Sequence, residues 1–290
     1  MSIGPGSDTA FVLTAGLSSM LLRHSAYLAS LTNFEKYVIW RYTMGSGTLN
    51  AVLLGFATDV QVRYFVYTFI TWYNVEQYGI LSLPEWMEVG VKSERRRNEL
   101  LRNAVKCMSF VKLVIALVSK IIHRAPKLEF DIVVYKASSD YPGIPHEDPI
   151  VDVVNVEQKP FNSTTYDPQF SFGLFTAEKS EWALWKITIP AGSSVLSINP
   201  TYHAYPFERE VLLPPGVLFQ VYKTEIVVLD TITKEGMQYE VSQRKALKIA
   251  NAPNFVIGEV FRPKPGYAPE IVRKKMHLLS AVLVQQIRMK

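Results

Sequence analysis

Apolar residues recur at helical intervals up to Pro126 and at strand intervals after it, and that change divides the chain. From Thr9 to about Leu31 the spacing is helical. Thr32-Asn33-Phe34-Glu35 then has the form of a helix start, with Thr32 as N-cap and Glu35 three residues later. The helix runs through Lys36–Thr43 until Met44-Gly45-Ser46-Gly47 breaks it, and Thr48–Leu54 resumes an apolar helix. Tyr64–Leu83 is rich in aromatics with almost no basic residue after Arg63, so it reads as a helix wall packed in the core, not as a stacking surface for bases. Ser93–Glu99 opens one long helix to about His123, basic at first and apolar later, and Pro126 ends the helical half. Its three consecutive arginines, Arg95, Arg96 and Arg97, point three ways around a helix and read as a solvated face.

The β-branched run Glu129–Lys136 is a strand, bounded by Ser138-Ser139-Asp140-Tyr141-Pro142-Gly143. Further strands are predicted at Val151–Val156, Lys159–Thr165, Trp182–Ile189, Val195–Asn199, Glu210–Leu213, Val217–Tyr222 and Glu225–Leu229, with a hairpin across Pro214-Pro215-Gly216. Helices first and strands second is the order of an α+β domain. Met237–Val241 is a weaker strand. Pro269–Lys290 carries a stripe of Ile271, Leu278, Leu279, Val282 and Leu283 that predicts an amphipathic helix, free to dock on its own domain or on a partner.

These elements predict an N-terminal extension over 1–30 and one domain over 31–235, with helices in 31–127 and a β core in 128–235. A C-terminal extension over 236–290 follows, ending in the amphipathic helix. The 290 residues, 48% hydrophobic and 12% aromatic, suffice for a sizeable core. The net charge of +5 suits an anionic ligand or acidic partner without demanding nucleic acid. Cys107 is the sole cysteine, which rules out an internal disulfide and a cysteine-based zinc cluster and points to a reducing, cytoplasmic setting. Ala10–Leu22 and Tyr64–Val75 fall short of the ~20 apolar residues of a membrane span. Ala10–Leu22 has only Asp8 as a preceding charged side chain and no small-residue cleavage site, so it reads as a helix and not a leader.

The candidate chemistry lies in two stretches. Phe161-Asn162-Ser163-Thr164-Thr165 offers hydroxyls from a strand, and Phe207-Glu208-Arg209-Glu210 brings two carboxylates at i and i+2 into an apolar strand start. Side chains at i and i+2 of a strand share a face, so Glu208 and Glu210 are expected to face one cleft. Paired carboxylates beside a hydroxyl strand suit chemistry at the anomeric carbon of a sugar. No metal site is expected: His146-Glu147-Asp148 reads as an exposed loop, and His24, His123, His203 and His277 show no ligand spacing. Gly-x-Gly-x-x-Gly, P-loop and nucleophile-elbow patterns do not occur.

The same residues resemble the mono-ADP-ribosyltransferase family of the arginine–serine–glutamate type, to which clostridial binary toxins and vertebrate ecto-enzymes belong. Phe161–Thr165 is similar to that family's Ser-Thr-Ser strand, and Glu208–Leu213 with Pro214-Pro215-Gly216 to its Glu-x-Glu motif and following turn. Tyr37–Leu54, with Arg41-Tyr42-Thr43 ahead of Leu49-Asn50, is similar to its helical Tyr-Thr-Gly … Ile-Asn segment. The three fall in the family's order over about residues 30–230. The family's Tyr-Arg-Gly strand end is here Tyr135-Lys136-Ala137. Lysine keeps the charge that grips the cofactor's diphosphate but loses the two-pronged hydrogen bond, which would weaken NAD binding by roughly ten- to a hundredfold.

The resemblance implies helices packed on a two-sheet β core, with NAD in the cleft between the sheets. It implies that Glu210 holds a ribose hydroxyl and stabilises the oxocarbenium-like state formed as nicotinamide leaves. Ser163 would steady Glu210 or the nicotinamide end, Thr165 would brace the strand, and Glu208 would orient or deprotonate the acceptor, an arginine where this position is Glu. Tyr135, Lys136, Ser163, Thr164 and Thr165 are then the cofactor-binding residues, and Tyr202, Tyr205 and Phe207 the loop that meets the protein acceptor. The expectation is an NAD-dependent transferase of a toxin, viral or housekeeping kind, acting in the cytosol. The alternative is a catalytically weak or dead copy of the fold, serving an assembly through its C-terminal helix.

Overall fold

A computed structural model describes residues 15–73, 93–138, 153–167, 183–203, 208–232, 237–241, 259–263 and 271–286. The described α-helices all precede the described strands in the chain. They are α1 (Ala15–Ser30), α2 (Asn33–Met44), α3 (Gly47–Leu54), α4 (Asp59–Thr71), α5 (Glu94–Arg102) and α6 (Ala104–Arg124). The α2 start is the predicted capping box: Thr32 Oγ1 accepts from the Glu35 N–H, and Glu35 accepts from the Thr32 N–H. Glu35 also pairs with Arg124 at the end of α6. The long helix expected after Ser93 is two helices. Asn103 is extended (φ −99°, ψ 99°), and its side chain caps α6 by accepting from the Lys106 N–H at 3.0 Å.

The strands are β1 (Ile132–Ser138), β2 (Val154–Gln158), β3 (Asn162–Thr165), β4 (Ala183–Ile189), β5 (Leu196–Ser197), β6 (Glu210–Leu213), β7 (Val217–Ile232), β8 (Met237–Val241), β9 (Glu259–Pro263) and β10 (Ile271–Gln286). Where two core sheets were expected, eight strands form one continuous sheet in the order β2-β7-β10-β4-β1-β3-β6-β5, and β8 pairs with β9 apart from it. The β1–β3 junction in the large sheet is a single aligned pair, Tyr135 opposite Thr165. The predicted hairpin across Pro214-Pro215-Gly216 does not form. Gly216, at φ 72°, donates its N–H to the Gln158 carbonyl, β6 pairs with β3 and β5, and β7 pairs with β2 and β10. The two strands predicted at Val217–Tyr222 and Glu225–Leu229 are one strand, β7.

The C-terminal segment corrects the prediction most. Ile271–Gln286 is not an amphipathic helix but strand β10, antiparallel to β7 from Ile271↔Ile232 to Gln286↔Val217 and parallel to β4 on its other edge. The apolar stripe that fits a helix also holds an alternation: Leu279, Ala281 and Leu283 are buried while Val284 is exposed. Assembly through a C-terminal helix therefore has no helix to rest on. Helix α1 also joins the core, since Leu17 and Met20 lie in the apolar cluster that residues of β1, β4, β7 and β10 build. Buried His24 ties α1 to the sheet, its Nδ1 accepting from the Ser197 N–H at 2.8 Å and its Nε2–H donating to the Pro126 carbonyl at 3.0 Å. Burial, the largest cause, pushes its pKa down to about 4, so the ring is neutral.

A second core lies among the helices, where Tyr37, Phe69 and Phe110 meet edge to face at about 5 Å. Phe161, Leu196 and Leu212 of the sheet's other end join this core, so β6 sits between the two, with Leu212 turned to the helices and Val211 and Leu213 to the β side. Deleting residues 271–290 should abolish the cooperative melting transition, because β10 fills the gap between β7 and β4. A truncated chain that still melts cooperatively, followed by circular dichroism, would mean that this strand is dispensable.

Candidate active site

Three neighbouring strands set one row of side chains. Tyr135 of β1 lies opposite Thr165 of β3, and Thr165 lies opposite Glu210 of β6. Opposed residues share a face, as do residues two apart, so Ser163 stands on the Glu210 face and is exposed there. Thr164 points to the other face and donates its hydroxyl to the Val211 carbonyl at 2.5 Å, which locks β3 to β6. Thr165 Oγ1 accepts from the Asp167 N–H. The helical motif also meets this strand. Asn50 of α3 accepts from the Phe161 N–H at 3.1 Å, and the Tyr42 ring of α2 packs edge-on against Phe161 at 5.3 Å.

Lys136 follows Tyr135 and so lies on the opposite face of β1, that of buried Val134. Its ammonium donates to Asn162 Oδ1 at 2.6 Å, and the Asn162 amide donates to the Pro160 carbonyl at 3.1 Å. Tyr202 sits on a 3-10 turn at Pro200–Tyr202 with the Lys36 ammonium 5.9 Å from its ring. Tyr205, Phe207 and His146-Glu147-Asp148 lie outside the described residues.

The two glutamates come together by a route that strand alternation does not supply. β6 begins at Glu210, and Glu208 lies before it. Between them Arg209 has φ 48°, the only non-glycine residue with positive φ among those described, and this left-handed step turns Glu208. The Arg209 guanidinium points away to Asp167, at 2.9 Å. What the carboxylates share is His203. Its Nε2 is 2.7 Å from a Glu210 oxygen and 3.5 Å from a Glu208 oxygen, and both His203 (1% exposed) and Glu210 (3%) are buried.

The electrostatics separate the pair. Burial, then the Glu210 charge, pushes the Glu208 carboxyl up to about 7, against a smaller opposing pull from His203. Tyr42, also buried, is raised well above the ordinary tyrosine value, first by burial and then by the Glu210 charge. Burial raises Tyr135 as well. His203, Glu208 and Glu210 are the one trio of ligand-type side chains in metal range among the described residues, their ligand atoms lying within 4.8 Å of one another. The 2.7 Å contact is the length of a charge-assisted hydrogen bond. Sequence reasoning passed over His203, because five residues of separation from Glu208 is no ligand spacing until the turn folds it back.

The left-handed Arg209 has a measurable consequence. Substituting glycine should leave the protein about 1 kcal/mol more stable than substituting alanine, since both remove the Asp167 pair but only glycine adopts φ 48° without strain. Denaturant midpoints of the two variants check this, and a more stable alanine variant would refute it.

The model of the ADP-ribosyltransferase exoenzyme family matches residues 98–249, more than half of the chain, which takes in Lys136, Ser163, His203, Glu208 and Glu210. Comparison of the sequence with curated proteins gives no match. Among solved structures, the chain is similar to Plx2a, an ADP-ribosyltransferase toxin from Paenibacillus larvae, with 13% identity over 93% of this chain and 95% of that one and a TM-score of 0.48. It is similar to C3stau2 from S. aureus, solved with NAD, at 13% identity over 93% and 96% and a TM-score of 0.47. A third is the ADP-ribosylating toxin BECa of C. perfringens, solved with NADH, at 15% identity over 93% of this chain but 48% of that one and a TM-score of 0.45. On the match of its family model, which covers all three strands of the site row and both glutamates, the chain belongs to the ADP-ribosyltransferase exoenzyme family.

Proposed function

We propose that this chain transfers ADP-ribose from NAD, the substrate its family uses, to a protein side chain, and that the acceptor is arginine. The observation that carries the proposal is the placing of Glu210: a buried carboxylate in row with Thr165, with Glu208 turned to the same imidazole. The site offers the substrate one exposed donor, the Ser163 hydroxyl on the Glu210 face, whereas Lys136 lies on the opposite face of β1 with its ammonium on Asn162.

Glu210 would accept a hydrogen bond from a ribose hydroxyl and set its negative charge beside the positive charge that grows on the sugar as the nicotinamide nitrogen takes the bonding pair. Glu208 would take the proton that the attacking acceptor nitrogen gives up as it bonds to the anomeric carbon. A carboxyl pushed up to about 7 is a better base than an ordinary glutamate and is half ionised near neutrality. A toxin-like modifier of a host protein is the role that suits such an activity. The competing view, a catalytically weak or dead scaffold, rested on Lys136 in place of arginine and on a C-terminal helix. The second support is gone, since that segment is strand β10 in the sheet's interior, while the lysine remains.

Labelled NAD in a cell lysate tests the proposal. Glu210→Gln should lose both NAD cleavage and transfer by at least about a hundredfold. Glu208→Gln should lose transfer while keeping NAD cleavage, and wild-type transfer should rise with pH through about 7 as Glu208 ionises. No label from wild type or from Lys136→Arg, with no NAD binding by calorimetry, would reject the enzyme.

Glu208 also affects stability, and the sign follows from its raised pKa. Below about 4.5 the carboxyl is protonated folded and unfolded alike, so it costs nothing; between 4.5 and about 7 stability is lost as only the unfolded chain ionises. Glu208→Gln should therefore be more stable than wild type at pH 8, by on the order of 2 kcal/mol, and no different at pH 4. Urea melts at the two pH values decide it, and equal stability at pH 8 would contradict the raised pKa.

A further inference from the structure

We propose that His203 is a positioning residue of this site: its Nε2–H, 2.7 Å from Glu210 and 3.5 Å from Glu208, fixes Glu210 in the row and balances the two carboxylates so that both can be charged at once. The proposal rests on the transferase reading above and adds a residue to it.

The contact meets a need of Glu210. A buried carboxylate must be hydrogen-bonded or neutralised, and His203 gives Glu210 its one side-chain hydrogen bond among the described residues. A carboxylate only accepts, so Nε2 carries the proton, and this bond persists whether or not Nδ1 is protonated. The other titratable groups nearby do not substitute for it. Tyr42 of α2, held well above its ordinary pKa, brings no positive charge. Lys36 of α2 sits over the Tyr202 ring, and Arg209 is turned to Asp167. Two carboxylates drawn together by a left-handed step repel, and a shared imidazole between them reduces the cost of ionising the second. The reaction needs both charged, Glu210 at the ribose and Glu208 at the acceptor.

Two substitutions separate the hydrogen bond from the charge. His203→Ala removes both, whereas His203→Gln keeps an N–H donor and cannot be charged. With NAD and a small guanidine acceptor, His203→Ala should lower kcat at least about tenfold and leave the KM for NAD within about threefold. His203→Gln should restore most of kcat for NAD cleavage, yet move the pH midpoint of transfer upward. A readout free of catalysis accompanies these: the Glu208 side-chain carboxyl, isotope-labelled and titrated by NMR in the ligand-free protein, should titrate near 7 in wild type and higher in both variants. Melting curves establish that each variant is folded, and if the alanine variant is not, the glutamine variant decides. Wild-type kcat and an unmoved Glu208 midpoint in the folded variants would overturn the proposal. An inactive wild type would overturn the transferase reading and with it any catalytic role, while the carboxyl titration would still decide whether His203 couples the two glutamates.

Discussion

Strand β6 is held by burial on both of its faces. Leu212 enters the helical core, while Val211 and Leu213 enter the core beneath β1, β4, β7 and β10. A slip of one residue against β3 would move all three side chains to the wrong face and set Glu210 opposite Thr164 instead of Thr165. The packing that stabilises the sheet thus also fixes the height of Glu210 along it. The Thr164 hydroxyl on the Val211 carbonyl and the Asn50 amide on the Phe161 N–H hold β3 from two further directions. Position here is a product of the cores, and the polar groups are carried along.

A charged group held by such packing has a cost. Two carboxylates withdrawn from water and set near one another destabilise the fold wherever both are ionised, and the structure offsets this only in part. His203 is buried with Glu210, whereas the Glu208 side chain keeps 29% of its surface exposed and takes most of the strain as a raised pKa. The left-handed Arg209 adds backbone strain at the same spot. Strain, burial and a perturbed acid in one turn is the combination expected where stability has been given up for chemistry.

Local signals were legible in the sequence, and those that depend on tertiary placement were not. The Thr32–Glu35 capping box, the glycine break before α3 and the β-branched run of β1 are set by residues within a few positions of one another, and each forms, the strand starting at Ile132 and not at Glu129. The Asn103 break was missed because an asparagine within a helical pattern can cap a new helix as well as sit in an old one. Strand β10 was missed because Leu278, Leu279, Val282 and Leu283 satisfy the helical period, while Leu279, Ala281 and Leu283 satisfy the strand period; pairing with β7 and β4 settles it, and no local window contains those strands. The glutamate pair was legible as a motif, but its geometry comes from Arg209 and not from strand alternation. His203 had no signal of its own, since its meaning lies in the turn that returns it to β6.

The helical half is more than a cover for the sheet, and α2 shows why. Arg41 is buried between the Phe65 and Trp72 rings, 4.9 and 4.8 Å from them, and donates to the Thr68 hydroxyl at 2.5 Å. A guanidinium so enclosed keeps its charge through the ring faces and the hydroxyl, with no carboxylate paired to it among the described residues. That contact sets the rotation of α2 against α4. Tyr42 is the next residue, about 100° further round the helix, so the same rotation delivers its ring onto Phe161 at the start of β3. Its hydroxyl then lies near enough for the Glu210 and Glu208 charges to raise its pKa. A disturbance at Arg41 would therefore reach the carboxylates through the next residue of the same helix, Tyr42, whose hydroxyl senses both of their charges.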